Sequence, residues 1–244
     1  MESWNYIKLG DILHIKHGYG FKGEYFIDEP NHNFLLTPGN FAIGHNRYST
    51  TGEASLRNIQ PFFADLHMGG LSIAHNGNLT NALLLRESLV KDGAIFRTTS
   101  DTETIVQLIA KSKREKFIDK LIDALFQIQG GFALVLMTNK KLVGVRDPFG
   151  IRPLVLGDLN GAPVLASETC ALDIIGAKYI RDVENEEIII ITDKKVESIK
   201  PFPPMKPRPC VFEYIYFSRP DSSVGGLSVY ECRKAFGRQL AIET

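Results

Sequence analysis

Phe132–Arg146 reads FALVLMTNKKLVGVR, and this stretch decides what kind of fold the chain can adopt. Two short apolar runs flank Asn139-Lys140, which forms a hairpin-type connection. Three more runs of the same kind follow: PLVLGDL, APVLASE and EEIIIIT. Leu159-Asn160-Gly161 joins two of them in the same way. Strands linked by tight turns pair antiparallel, because a parallel pair needs a long crossover.

Working outward, two helical patterns precede these strands. TTSDTETIVQLIAKSK places Ile105, Val106, Ile109 and Ala110 on one face, with Ser100 or Asp101 able to cap it. EKFIDKLIDALFQI repeats the spacing through Phe117, Leu121, Ile122 and Leu125, and Gly130-Gly131 ends it. Upstream, TNALLLRESLVKDG reads as a helix with Thr80 as N-cap and Gly93 as stop. GGLSIAHNGNL reads as a strand that runs into an Asn76-Gly77 turn. Downstream, KPFPPMKPRPC is an extended arm, and LSVYECRKAFGRQLAIE is a final helix. The fold class is therefore α+β, with antiparallel sheets layered against helices rather than a doubly wound parallel sheet.

The totals exclude several function classes. Lys plus Arg equals Asp plus Glu at 28 each, so nothing in the charge balance calls for nucleic acid or an anionic membrane. Cys170, Cys210 and Cys232 are odd in number and scattered, which fits a reducing, cytoplasmic setting better than a disulfide scaffold. No apolar run reaches the roughly 18 residues of a membrane span.

Four polar stretches carry candidate chemistry, and each has a plain structural reading beside it. GHNRYSTTG sets His45, Arg47 and Thr50 in a loop leaving a strand; a charged surface turn would look the same. AHNGNLTN contains Asn76-Gly77, a common turn pair. An Asn amide beside a Gly N–H is also a donor pair suited to a developing oxyanion. TSDTE serves as a helix cap, or it places Asp101 to bind an ammonium group. RDPFGIRPL reads as a turn-rich link with two solvated arginines.

Taken in order, FAIGHNRYSTTG, QPFF, IAHNGNLTNA, TSDTE, GVRDPFGIRPL, ASETCALD and FEYIYFSRPDS resemble the amidophosphoribosyltransferase family. These are the glutamine-dependent enzymes that open purine biosynthesis. The resemblance spans about 41–244 and implies a class II glutamine amidotransferase domain with the four-layer αββα sandwich of the N-terminal nucleophile hydrolases. It implies glutamine hydrolysis, with ammonia passed to a phosphoribosyltransferase domain. Residue by residue, it gives Arg47 the glutamine carboxylate, with Thr50 nearby, and Asp101 the ammonium. Asn76 and Gly77 become the oxyanion hole. The family's members are homo-oligomers whose transferase domain uses magnesium, and some carry an iron–sulfur cluster. For this chain the expectation is no cofactor, glutamine as ligand, no membrane, no nucleic acid, and a phosphoribosyltransferase domain as partner in trans.

The chain departs from that pattern at its start. The family opens on a Cys whose own α-amine serves as base, whereas this sequence opens MESWNYIKLG. A glutamine-binding QHRGQ-like stretch is also absent, and so is the phosphoribosyl-pyrophosphate loop. Residues 1–40, with KLGDI, GYGFKGEYF and LLTPGNF, resemble the start of a DNA-specificity subunit of restriction–modification systems. The expected organisation is a foreign 1–40 fragment joined to a 41–244 amidotransferase domain that is incomplete at both ends and inactive without the nucleophile. The alternatives are a non-catalytic module that binds glutamine or a partner, and a DNA-recognition fragment or non-functional fusion product.

Overall fold

The computed structural model describes residues 5–8, 34–37, 41–45 and 56–244. In chain order the strands begin with β1 (Asn5–Lys8), β2 (Phe34–Thr37), β3 (Ile43–His45), β4 (Phe62–Leu66) and β5 (Gly69–Leu79). Three helices follow: α1 (Ala82–Lys91), α2 (Asp101–Lys111) and α3 (Phe117–Leu125). Next come β6 (Gly130–Thr138), β7 (Lys141–Arg146), β8 (Val155–Leu159) and β9 (Ala162–Ala166), then α4 (Thr169–Ile175). The chain continues through β10 (Lys178–Asp182), β11 (Ile188–Ile191), β12 (Val196–Ile199) and a π-helical segment, Glu213–Phe217. It ends with the short pair β13 (Ser223–Val224) and β14 (Leu227–Ser228), then α5 (Val229–Glu243).

The hairpin that decided the fold class forms as read: β6 and β7 pair from Ala133 with Arg146 down to Thr138 with Lys141. They are the middle of a six-stranded antiparallel sheet ordered β12-β11-β7-β6-β5-β4. Period-2 alternation sorts its side chains into two cores. Leu71, Ile73, Leu134, Leu136, Val143, Val145, Ile188 and Ile190 face α1–α3 and meet Leu89, Ile105, Ile109, Leu121 and Leu125. Ala74, Ala133, Met137, Leu142, Ile189 and Ile191 face the other way, onto Ile43, Leu154, Leu156 and Val183. That second layer consists of the three-stranded sheets β1-β2-β3 and β10-β8-β9. Its outer face, through Val155 and Val164, packs Leu172 and Ile175 of α4. The order of layers is helix, sheet, sheet, helix, as the resemblance implied. The all-apolar IIII of β11 is the sequence trace of a strand buried on both faces.

Several local expectations are corrected. Asn76-Gly77 is not a turn: β5 runs on to Leu79 because β6 pairs with it along its whole length, Asn76 opposite Ala133 and Gly77 opposite Phe132. α1 is preceded by Asn81, not capped by Thr80. The Asn81 side chain instead ties down the loop after α3, donating to Gln127 O and accepting from Gln129 N–H. On α2, Leu108 is buried and Ala110 is exposed, so the apolar face is rotated from the expected one. α3 stops at Leu125, and Gly130-Gly131 already belong to β6. Gly93 does end the α1 turn at φ +91°. No helix among the described residues is long and apolar enough to cross a membrane.

Candidate active site

β5 presents two consecutive polar side chains to opposite faces of the large sheet. His75 points toward the helices, where its Nδ1 lies 3.2 Å from Thr102 Oγ1 and 3.6 Å from Asp101 Oδ1. Its backbone N–H donates to Gln60 Oε1 at 2.6 Å. Asn76 points toward the second sheet and meets Arg152. Gly77 follows with φ +150°. A Cβ there would lie 2.1 Å from Gly131 O and 2.8 Å from His75 Nε2, so glycine is required by space.

Asp101 opens α2. Ser100 is the N-cap, and its Oγ accepts from Thr102 N–H at 3.3 Å. Asp101 thus sits in the positive field of the helix start. Its Oδ2 accepts the Leu79 N–H at 2.9 Å, which joins the end of β5 to the start of α2. Burial pushes the Asp101 carboxyl up, but the adjacent His75 and the Leu79 and Thr102 N–H groups outweigh it and hold the carboxyl below its usual value. Asp101 is only 7% exposed, and it approaches β5 from the helical side while Asn76 faces the inter-sheet side. Asp101 reaches β5 only through the Leu79 N–H and His75, and it makes no hydrogen bond to Asn76.

The RDPFGIR loop is not the solvated link that its composition suggests. Asp147 is fully buried and accepts N–H bonds from Phe132, Phe149, Ile151 and Arg152. Burial pushes its carboxyl up, against the pull of those N–H groups. Arg146 is spent on carbonyls: Nε to Arg152 O, Nη1 to Val183 O at 2.7 Å, and Nη2 to Gly150 O. Arg152 donates from Nε (3.1 Å) and Nη2 (2.8 Å) to Asn76 Oδ1. Its Nη1 lies 2.8 Å from Glu213 Oε1, an ion pair without hydrogen-bond alignment. The guanidinium also stacks 4.8 Å from the Phe217 ring centre. Burial pushes the Glu213 carboxyl up, partly offset by Arg152 and by the Ser218 hydroxyl that donates to it.

Residues Phe41 to His45 of the FAIGHNRYSTTG stretch are described, but Arg47 and Thr50 lie outside the described residues. Asn76 and Gly77 lie in β5 and Asp101 bonds the end of that strand at Leu79, but Asn76 and Asp101 sit on opposite faces of the sheet. His75, Asp147, Arg152 and Glu213 were missed. All four lie inside stretches that carry the family resemblance, but composition reads the two arginines around the D-P-F-G turn as surface and assigns no role to His75 or Glu213.

A glutamine amidotransferase domain family matches residues 45–173, more than half of the chain. The chain belongs to that family. This amidotransferase domain is 54% identical over 212 residues to the amidophosphoribosyltransferase of Rhizobium etli, covering 85% of this chain and 43% of that relative. It is 51% identical over 208 residues to the chloroplastic amidophosphoribosyltransferase 1 of Arabidopsis thaliana, covering 85% of this chain and 37% of that relative. Among solved structures, it superposes on the glutamine phosphoribosylpyrophosphate amidotransferase from B. subtilis complexed with ADP and GMP. The TM-score is 0.79 at 42% identity, covering 83% of this chain and 44% of that one. A second structure, described as the allosteric regulatory enzyme of purine biosynthesis, gives a TM-score of 0.80 at 42% identity over the same shares. The amidotransferase domain therefore has the fold of those structures, and it spans less than half the length of these relatives. Among the described residues no group of three His, Cys, Asp or Glu side chains is placed to hold a metal ion.

Proposed function

We propose that this chain is the glutamine-handling part of an amidophosphoribosyltransferase of purine biosynthesis. In this reading it binds glutamine so that the side-chain amide lies against Asn76 and Gly77. The observation that carries it is the Asn76 amide, whose Oδ1 is consumed by Arg152 and whose Nδ2 is left as donor beside the crowded Gly77. Asp101, a carboxylate already facing His75 and accepting from Leu79 and Thr102, takes the substrate ammonium in this reading. Arg47 takes the carboxylate, with Thr50 beside it.

Hydrolysis needs a nucleophile as well. Cys170 sits buried against Glu168, and burial pushes its thiol up, the opposite of what an attacking thiolate needs. The reading is therefore glutamine binding in which Cys170 is not the attacking group, with residues 1–40 a segment of separate origin from 41–244. Titration calorimetry with millimolar glutamine tests it. Heat of binding that Asp101→Asn abolishes is expected. No heat in the unaltered chain would sink the reading, and ammonia release that Cys170→Ala abolishes would overturn the exclusion of Cys170.

The partner in this reading is a phosphoribosyltransferase unit. Exposed Tyr216, Phe217, Tyr230, Phe236 and Leu240 on the π-helical segment and α5 favour that face for its docking.

A further inference from the structure

We infer that Arg152 is a positioning residue that fixes the polarity of the Asn76 side chain. An Asn amide has two nearly isosteric ends, one accepting and one donating. Only the donating end can stabilise negative charge on a substrate oxygen. On an open strand the amide could turn over with little penalty, and half of its orientations would then present an oxygen to an oxygen. Arg152 removes that freedom because guanidinium carries donors and no acceptor. Its Nε and Nη2 both point at Asn76 Oδ1, at 3.1 and 2.8 Å. The reversed amide would set NH₂ against two N–H groups of a cation.

The lock is itself held in place. Glu213 draws Nη1 away at 2.8 Å, so the third edge of the guanidinium is engaged while the Nε/Nη2 fork stays on Asn76. Phe217 covers one face of the plane. The Arg152 N–H donates to buried Asp147, which fixes the backbone from which the side chain extends. Arg152 itself has a side chain 18% exposed and Glu213 4%, so the arrangement is shielded enough for its charges to matter. Glu213 lies 61 positions after Arg152 in sequence, and the lock is therefore assembled from three separated parts of the chain. No part of this geometry needs the substrate to be known. What the lock is for rests on the glutamine reading above.

The test uses the full chain and two readouts. The first is the side-chain amide resonance pair of Asn76 in ¹⁵N-edited spectra, recorded without ligand. Arg152→Met is expected to move this pair and speed its solvent exchange. Arg152→Lys, which keeps a donor but not the fork, is expected to restore part of the shift. An unchanged Asn76 pair in a folded Arg152→Met protein would overturn the inference. The second readout compares glutamate with glutamine by calorimetry, since the γ-carboxylate of glutamate puts negative charge where the amide oxygen would lie. Arg152→Met is expected to weaken glutamate about tenfold and glutamine no more than about threefold, because a hydrogen bond to a charged acceptor is the stronger. Equal losses for both ligands would mark Arg152 as merely structural and overturn the positioning role. Should neither ligand bind the unaltered chain while the Asn76 resonances still move, the polarity lock stands and the glutamine reading fails.

Discussion

Gly77 and Asp101 show how little room single residues have at the end of β5. Replacing Gly77 by Ala would set a methyl 2.1 Å from Gly131 O, a backbone atom that cannot swing aside. The chain would have to open the β5–β6 ladder or give up its pairing there. Gly77→Ala is expected to destabilise by more than about 3 kcal/mol or to prevent folding, read from urea midpoints. A loss under about 1 kcal/mol would show that the ladder yields locally. Glycine at this point was legible in the sequence, but its reason was misread. The Asn-Gly pair is a turn signal only where the chain is free to reverse, and nine-residue pairing with β6 overrides the local preference. Arg152 escaped for a related reason. Nothing in a single sequence marks an arginine as half-buried when its partners, Asn76 and Glu213, lie far away along the chain.

At the scale of elements, the existence of helices and strands was readable from periodicity, whereas the Thr80 cap, the α2 face and the α3 stop were not. α2 follows the Ser-x-x-Glu pattern, but its Glu103 reaches past the cap to accept N–H bonds from Arg97 and Thr98. Ser100 does the capping, and Ser100→Ala is expected to cost about 1 kcal/mol by thermal denaturation. Because this cap also sets where Asp101 begins the helix, the same variant should weaken glutamine binding. Unchanged binding would separate the cap from the site. The strands were legible as strands because their apolar runs are short and bounded by turns. Which face each side chain takes was not, since FALVLM and IIII are apolar throughout. That answer needs both layers: Leu134 and Leu136 meet helices while Ala133 and Met137 meet the second sheet. Leu134→Ala, at a position with no exposure, is expected to cost about 2–5 kcal/mol. The π-helical turn Glu213–Phe217 had no sequence signature. It is held from outside by Arg233, which donates to the carbonyls of Tyr214 and Ser218.

For the whole molecule, the buried carboxylates give stability a definite dependence on pH. Burial pushes the Glu187 carboxyl up, but the Arg181 guanidinium, the Ser198 hydroxyl and the Glu184 N–H bring it below its usual value. Asp101 behaves likewise. Their stabilisation is in place above the ordinary carboxylate range, about pH 4. It is lost as pH falls through the lower folded-state values, because protonation then breaks the native contacts. Asp147 and Glu213 act with the opposite sign. Their carboxyls are raised, so each weakens the fold as pH rises from the ordinary value through the folded one. Urea midpoints from pH 3 to pH 7 should fall on the acid side, and Glu187→Gln should flatten that limb. An acid limb unchanged by Glu187→Gln would rule out this assignment.

The chain order of the Arg152 contacts has a consequence for synthesis. The prolines of 200–210 run back over the RDPFGIR loop, where the Arg208 N–H donates to Phe149 O and the Cys210 N–H to Ile151 O. The Arg152 counter-ion, Glu213, comes immediately afterwards. A ribosome making this protein therefore releases β5, α2 and the Arg152 loop well before the residues that fasten them. Through that interval Arg152 lacks its Glu213 partner, and the fork on Asn76 gains that support only after Glu213 has followed.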